Sequence, residues 1–527
     1  MSGVRYVLAI DLGTSGPKVA LVSTDGEVLD CEIEPTELLL FDGGGAEQIP
    51  DDWWRAITTA SRRLLGKKLV PLDHIVAVSA TTQWSGTVAV NRDGRPLMNA
   101  IIWMDTRGKP HQDRITGGFP RIAGYGAAKV LKWLRLTGGA PSHSGKDPIA
   151  HIHYIKNEHH QIYQQTYKFL EPKDYINLRL TGKFAASYDS IALHWVTDNR
   201  DINDIQYDPG LLRMSGIDPG KLPELKQSVD ILGTLTSEAA HDLGLGPGVQ
   251  VIMGTPDVQS ASVGSGAVRD FEGHLYIGTS SWLTCHVPFK KTDLGANMAS
   301  LPSAVPGRYF IANEQETAGY CLTFLKENVF FRDDDLGTSA PDDAYERLNS
   351  EAAKAPPGSD KLIFMPWLFG ERTPIEDHAV RGGFFNMSLR TERSHMIRAV
   401  FEGVAYNSRW LLGAVEKFNG RPMEKINMIG GGARSDLWCQ IMADVTGREI
   451  RQVKDPVQAN ARGAAFLASV ALGYHTFHEL SDVIQIQRTF TPNPDNRSIY
   501  DELFAEFQNL YKANKKIYAR LNRQAHS

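Results

Sequence analysis

Apolar residues run without interruption through Val7-Leu-Ala-Ile10, give way to Asp11-Leu-Gly-Thr-Ser-Gly16, and resume from Val19 to Ser23. A short apolar run bounded by small turn residues predicts a buried strand, so this stretch predicts strand, tight turn and antiparallel strand, closed by the hairpin signal Asp25-Gly26. Helical spacing begins at Asp51 and lasts to Leu65, with acidic residues in its first turn. Ile75-Val-Ala-Val-Ser79 predicts a second buried strand, entering the small-residue loop Ala80-Thr-Thr-Gln-Trp-Ser-Gly86. A hairpin follows from Thr87 to Val90 with Asp93-Gly94, and Ala100-Ile-Ile-Trp103 predicts a strand running into Met104-Asp-Thr-Arg107. From Tyr125 to Tyr188 the spacing is helical with polar loops.

Ile231-Leu-Gly-Thr-Leu-Thr-Ser237 and Leu243-Gly-Leu-Gly-Pro-Gly-Val249 are loop-rich; Val251-Ile-Met-Gly254 then predicts a strand ahead of Thr255-Pro-Asp257. This sets an expected division into residues 1–253 and 254–527. His274-Leu-Tyr-Ile-Gly-Thr-Ser-Ser-Trp-Leu-Thr-Cys-His-Val287 repeats the opening design of strand, Gly-Thr-Ser turn and strand, which suggests a duplicated architecture with a cleft between its halves. Leu362 to Pro374 predicts a strand and a Gly-bearing loop, and Thr391 to Leu412 is the longest helical stretch. Ile426-Asn-Met-Ile429 predicts a strand, Gly430-Gly-Gly-Ala-Arg-Ser435 a loop, and Asp436 to Thr446 a helix. Further helices are expected at 459–472 and 500–521, where Leu503, Phe504, Phe507, Leu510 and Tyr511 serve core or subunit contact.

Composition narrows the function classes. The 527 residues are 42% hydrophobic and 22% charged with a formal net charge of −5, which favours at least two large domains and supplies no basic field for nucleic acid or anionic membrane. Cys31, Cys285, Cys321 and Cys439 lack metal-ligand spacing and are expected as small buried hydrophobes. No apolar run reaches the ~20 residues of a membrane span and no signal pattern precedes the first strand, so the expected compartment is cytoplasmic. His151, His153, His159 and His160 lack the spacing of a metal site and are expected on a solvated surface.

Two stretches can carry chemistry on their own residues. Asp11, at a strand end beside the turn, can hold a hydrated metal ion while backbone N–H groups and the Thr14 and Ser15 hydroxyls face phosphate oxygens; the alternative is a surface hairpin with a polar tip. Strand, triple glycine and helix N-terminus at 426–446 make a nucleotide-sized site, because glycine admits close approach and the helix end favours negative charge; the alternative is a plain βα turn. The loop 80–86 is a candidate substrate contact.

Taken in order, these stretches resemble the FGGY carbohydrate kinases over nearly the whole chain, most closely their xylulokinase-like branch. Asp11-Leu-Gly-Thr-Ser with Lys18 is similar to that family's first phosphate motif, Ile277-Gly-Thr-Ser-Ser to its second, and Gly430 to Trp438 with Ala443-Asp-Val-Thr-Gly-Arg448 to its adenosine motif. Trp103-Met-Asp-Thr-Arg107, Phe169-Leu-Glu-Pro-Lys-Asp174 with Leu180-Thr-Gly182, and Gly370-Glu-Arg-Thr-Pro374 resemble further landmarks.

The resemblance implies an α/β fold of two ribonuclease-H-like domains of the actin and hexokinase type, with mixed sheets flanked by helices and a central cleft. It implies ATP-dependent, Mg2+-assisted phosphorylation of a sugar or polyol hydroxyl, with a ketopentose such as xylulose as the expected acceptor and a homodimer as a further expectation. Asp257 is the implied catalytic base. It further implies Asp11 as the metal ligand, Gly13, Thr14, Ser15, Gly278, Thr279 and Ser280 around the phosphates, Lys18 either reaching them or facing solvent from its strand, and Gly431, Gly432, Ala433 and Ser435 at the nucleotide. Gln83, Trp84, Asp105 and Asp257 are implied at the sugar, with Trp103 either there or in the core, Asp257 also able to cap the helix that follows it, and Arg107 either orienting Asp105 or touching substrate.

Three departures stand out: Pro256 before Asp257, Asn460 where relatives carry glutamate, and Thr82-Gln-Trp-Ser in place of Gln-Met-His, which leaves the acceptor open. A nucleotide-responsive regulatory protein on the same scaffold is the alternative, since one fold hosts many functions.

Overall fold

The computed structural model describes residues 4–335 and 337–522. Two mixed sheets organise it. The first joins β1 (Tyr6–Gly13), β2 (Gly16–Ser23), β3 (Val28–Ile33), β4 (Ile75–Thr82), β5 (Ile231–Thr234) and β6 (Gln250–Pro256) in the order β5-β6-β4-β1-β2-β3. The second joins β7 (Gly273–Ile277), β8 (Ser281–Thr284), β9 (Lys425–Ile429), β10 (Glu449–Val453) and β11 (Ile486–Phe490) in the order β8-β7-β9-β10-β11. In each, an antiparallel hairpin (β1–β2, β7–β8) leads into two parallel pairings and ends on an antiparallel edge strand. The two halves therefore repeat one strand order, and the change from one sheet to the other falls between Pro256 and Gly273.

Alternation along β1 and β2 explains how the first sheet is covered. Leu8, Ile10, Leu12, Val19 and Leu21 face one side and pack on Trp53, Trp54, Ile57 and Leu64 of α1 (Pro50–Gly66). Val7, Ala9, Ala20 and Val22 face the other side, with Ala77 and Ile252, and pack on Ala461, Ala464, Ala465 and Ala468 of a helix from the far end of the chain.

Four more helices matter for the site and its support. These are α2 (Pro172–Thr181), α3 (Asp257–Gly264), α4 (Arg393–Asn419) and α5 (Asp436–Thr446). The helix over the first sheet is α6 (Ala459–Ala471), and α7 (Arg497–Leu521) closes the second core. Leu503, Phe507, Leu510 and Tyr511 of α7 are buried there, with Phe507 and Tyr511 against Trp367 and Trp410.

Several expectations need correction. The stretch 231–237, expected as loop, holds the strand β5, and a helix, Ser237–Leu243, lies between the two stretches expected as loop. The strand expected at 100–103 is only Ala100–Ile101, with Trp103 released toward the first turn. His151 and His153 are buried, not solvated, because each finds a distant polar partner: His151 Nδ1 lies 3.2 Å from the Thr87 hydroxyl and His153 Nε2 2.6 Å from the Ser215 carbonyl. Burial pushes both imidazoles down to about 4, so they stay neutral. All four cysteines are free; Cys31 is half-buried and the others are buried. No helix of the described residues is long and apolar enough to cross a membrane.

Candidate functional site

The β1–β2 register pairs Asp11 with Lys18 and Gly13 with Gly16, leaving Thr14 and Ser15 as a two-residue turn at the end of the first sheet. Gly16 takes φ +133°, and a Cβ there would lie 2.1 Å from the Glu34 carbonyl, so only glycine closes this hairpin. Ser15 is exposed and Gly13 and Thr14 are half-buried. Lys18 Nζ lies 3.5 Å from the buried Asp11 carboxylate, and Asn460 Nδ2 donates to it at 3.4 Å. Where the family resemblance called for glutamate, a neutral amide thus stands beside Asp11.

A bulge aims Asp257. The β6–β4 register shifts between Ile252 and Thr255, where Gly254 has φ +71° and a Cβ would meet the Ala80 carbonyl at 2.1 Å. The start of α2 fixes the strand there: Lys173 donates to the Met253 carbonyl at 3.1 Å and to Asp174 at 2.5 Å, and Asn177 donates to the same carbonyl at 2.7 Å. Strand β6 then delivers Asp257 to the first position of α3, where its carboxylate accepts the Val258 amide at 2.8 Å. Burial pushes the Asp257 carboxyl up to about 7, with the negative charge of Asp11 as the next cause. A carboxyl poised near neutrality beside a second carboxylate is suited to exchanging a proton.

The second turn lies against the glycine loop. Gly278 donates to the Ser280 carbonyl, and Thr279 is exposed. A Cβ on Gly278 would strike the Tyr276 hydroxyl, and one on Gly430 (φ +87°) the Ile277 carbonyl at 2.5 Å. Tyr276 stacks on Trp282 at 3.9 Å, and burial, helped by the charges of Asp257 and Asp11, raises its phenol to about 12. Gly431 alone of the three loop glycines faces open space, with no atom within 4 Å of a Cβ built there. Gly432 packs on Ile277, Ala433 is buried with its carbonyl accepting from Gln452, and the Ser435 hydroxyl caps α5 at Trp438 N while donating to Asn349. These three offer backbone, not side chain, to a ligand.

The expected acceptor residues form a hydrogen-bonded wall next to the first turn. Trp103 Nε1 donates to the Thr14 hydroxyl at 3.0 Å, and that hydroxyl donates to Gln83 Oε1 at 3.2 Å. Gln83 donates to Gln48 at 2.7 Å, and Gln48 in turn donates to the Thr14 carbonyl at 2.8 Å. Trp84 is half-buried with its indole N–H on the Ser190 carbonyl.

Asp105 stands apart from this wall. It is fully buried, and its oxygens accept from Ala46 N, Arg107 N and the Arg107 guanidinium, which also reaches Glu47 at 2.6 Å. Arg107 therefore orients Asp105, with Oδ2 taking the Ala46 amide and the guanidinium and Oδ1 the Arg107 amide. The loop holding Trp84 is anchored by the Gly86 amide donating to buried Glu171 at 2.9 Å.

Four further residues gather beside the wall, Gln48 and Lys146 from the first half and Glu314 and Arg372 from the second. Arg372 pairs with Glu314 and, at 2.8 Å, with Glu316; the Glu314 charge reaches Asp257. Lys146 extends its ammonium over the Trp103 ring, 5.7 Å from the centroid, toward this cluster. Gln48, Lys146, Glu314 and Arg372 lie in loops or short strands with no periodicity, and only Arg372 fell within a recognised landmark.

No group of three or more His, Cys, Asp or Glu among the described residues could hold a metal ion by itself. Asp11 and Asp257 offer at most two carboxylates, a donor set that suits a hard cation completing its shell with water and phosphate oxygens.

Residues 6–264 match the N-terminal domain and residues 274–472 the C-terminal domain of the FGGY family of carbohydrate kinases. Over 98% of the chain it is 28% identical to the xylulose kinase of Bacillus subtilis (strain 168), covering 98% of that protein. It is also 28% identical to that organism's gluconokinase, covering 98% of this chain and 97% of the other. The crystal structure of gluconate kinase from Lactobacillus acidophilus superposes with a TM-score of 0.85 at 26% identity, covering 98% of this chain and 100% of that one.

Proposed function

Because the chain belongs to the FGGY family of carbohydrate kinases, we propose that it transfers the terminal phosphoryl group of ATP to a hydroxyl of a small sugar, polyol or sugar acid, with Asp257 as the base. The observation that carries this reading is Asp257 itself: it opens α3 directly after Pro256, which pairs with Thr82 next to Gln83, and its carboxyl, held at about 7, feels the charge of Asp11. Phosphoryl transfer asks the protein chiefly for positioning and charge stabilisation, and each need has a residue.

The acceptor lies against Trp103, Gln83 and Trp84 with its reacting hydroxyl toward Asp257, which takes the proton as the new O–P bond forms and the bond from the γ-phosphorus to the β–γ bridging oxygen breaks, ADP leaving with that oxygen. Backbone N–H groups and hydroxyls at 13–15 and 278–280 hold the phosphates, and Lys18 adds a positive charge on the Asp11 side. The opening at Gly431 admits the nucleoside, with Gly432, Ala433 and Ser435 supporting it through backbone. Asp11 holds Mg2+, which when bound neutralises phosphate charge. The division of labour, with sugar and phosphate contacts before it and base and nucleotide contacts after it, is part of this proposal; Thr255 and Pro256 still pair with β4, so it falls after Pro256 rather than at 253/254 and puts Asp257 at the junction.

The test is ATP consumption measured across ketopentoses such as xylulose, hexuloses, polyols and sugar acids. Acceptor-dependent turnover is expected. Its absence from the whole panel would favour a nucleotide-responsive regulatory protein.

A further inference from the structure

Among the described residues, Lys146 of the acceptor wall has an aromatic ring as its contact and no ion pair. Lys146 is half-buried, its Nζ over the Trp103 ring at 5.7 Å. Among the described residues no carboxylate lies within 4 Å of that nitrogen, and it donates no hydrogen bond to protein. The nearest acids are already engaged: Arg372 binds both Glu314 and Glu316. Burial and the Arg372 charge together outweigh the two glutamates and lower the Lys146 pKa. A partly desolvated ammonium with open donor positions gains most from an anion, because charge-assisted hydrogen bonds are roughly twice as strong as neutral ones.

The position of this cation is as informative as its lack of an ion pair. The Lys146 carbonyl accepts from Ser85 at 2.8 Å, beside Gln83 and Trp84, while the ring beneath its ammonium donates to Thr14 of the phosphate turn. Its other neighbours, Glu314 and Arg372, come from the second half, and Glu314 also acts on Asp257. Lys146 therefore faces the space between the base and the acceptor wall.

Resting on the kinase reading above, we infer that Lys146 is the specificity-determining residue of the acceptor site and that it takes the carboxylate of a sugar acid, so the acceptor is an aldonate-type polyhydroxy acid in preference to the neutral ketose. Trp103 would lie under the C–H face of the same molecule.

The test compares kcat and KM for D-gluconate and D-xylonate with those for the neutral D-glucitol and D-xylulose, in wild type, Lys146→Gln and Lys146→Arg. The inference expects wild type to favour the acids by at least ~10-fold in kcat/KM. It expects Lys146→Gln to reduce that preference ~10–100-fold, the range for losing a hydrogen bond to a charged group, mainly through KM for the acid, with Lys146→Arg restoring part of it. Preferred turnover of a neutral acceptor by wild type, or an equal loss for acids and neutral acceptors in Lys146→Gln, overturns the inference and leaves the kinase reading intact. No turnover with any acceptor overturns both.

Discussion

Asp257 ties reactivity to stability through one carboxyl. A base must be ionised to take a proton, so kcat/KM is expected to rise with pH through about 7, checked by a pH–rate profile with a saturating nucleotide. Stability runs the opposite way. The folded-state value lies above the unfolded 3.8, so the folded protein binds this proton more tightly. The resulting penalty grows from pH 3.8 to about 7 and is constant above that. Asp257→Asn removes the penalty: turnover is expected to fall on the order of 10²-fold or more, while the variant unfolds at higher temperature than wild type at pH 8 and with a smaller gain at pH 5. Unchanged turnover would remove Asp257 from the mechanism.

Gln48 gives a second residue-scale test. It is fully buried, donates to Thr14 and accepts from Gln83 and Trp53. Gln48→Ala leaves those groups without partners, and a stability loss of about 2–3 kcal/mol is expected in urea unfolding.

At the scale of elements, close crossing replaces side-chain bulk. Helices α3 and α6 approach so nearly that a Cβ on Gly463 would sit 1.9 Å from the Ser260 carbonyl, and one on Gly264 1.8 Å from the Ala459 carbonyl. Gly463→Ala is therefore expected to cost about 3 kcal/mol, whereas Gly413→Ala in α4, where nothing lies within 4 Å, is expected to gain about 0.5–1 kcal/mol. Thermal melts of the two variants should move in opposite directions.

Local elements were legible in the sequence for a physical reason. The β1–β2 hairpin is written in adjacent residues, an apolar run, a two-residue turn and an apolar run, and α5 begins at its Ser435 cap. What was hidden depends on distant partners. One partner of Asp105, the Ala46 amide, lies 59 positions away, and the loop carrying Lys146 follows no period. His151 and His153 looked solvated because Thr87 and Ser215 cannot be inferred from helical spacing.

For the molecule as a whole, the two sheets are linked by α3, α6 and one buried side chain. Arg462 donates to the carbonyls of Gly26, Gly264 and Lys454, and it pairs with no carboxylate among the described residues. Burial lowers its pKa to about 10. These bonds join the first hairpin, the end of α3 and the second half, and Lys290 and Tyr309 tie the halves elsewhere by donating to the Leu134 and Asn199 carbonyls. Small-angle scattering is expected to show a smaller radius of gyration with a nonhydrolysable ATP analogue plus acceptor than with neither; unchanged dimensions would rule out a large hinge motion.

The position of α6 also bears on synthesis. The face of the first sheet formed by Val7, Ala9, Ala20, Val22, Ala77 and Ile252 is covered by alanines of α6, encoded after nearly all of the second sheet. At ordinary ribosomal speed the roughly 200 residues between Pro256 and Ala459 take about 10–40 s to appear. During that interval the nascent first sheet carries a bare apolar face. Its assembly is thus timed by the ribosome, and the first half made alone should be recovered mainly as aggregate unless a peptide spanning α6 is supplied.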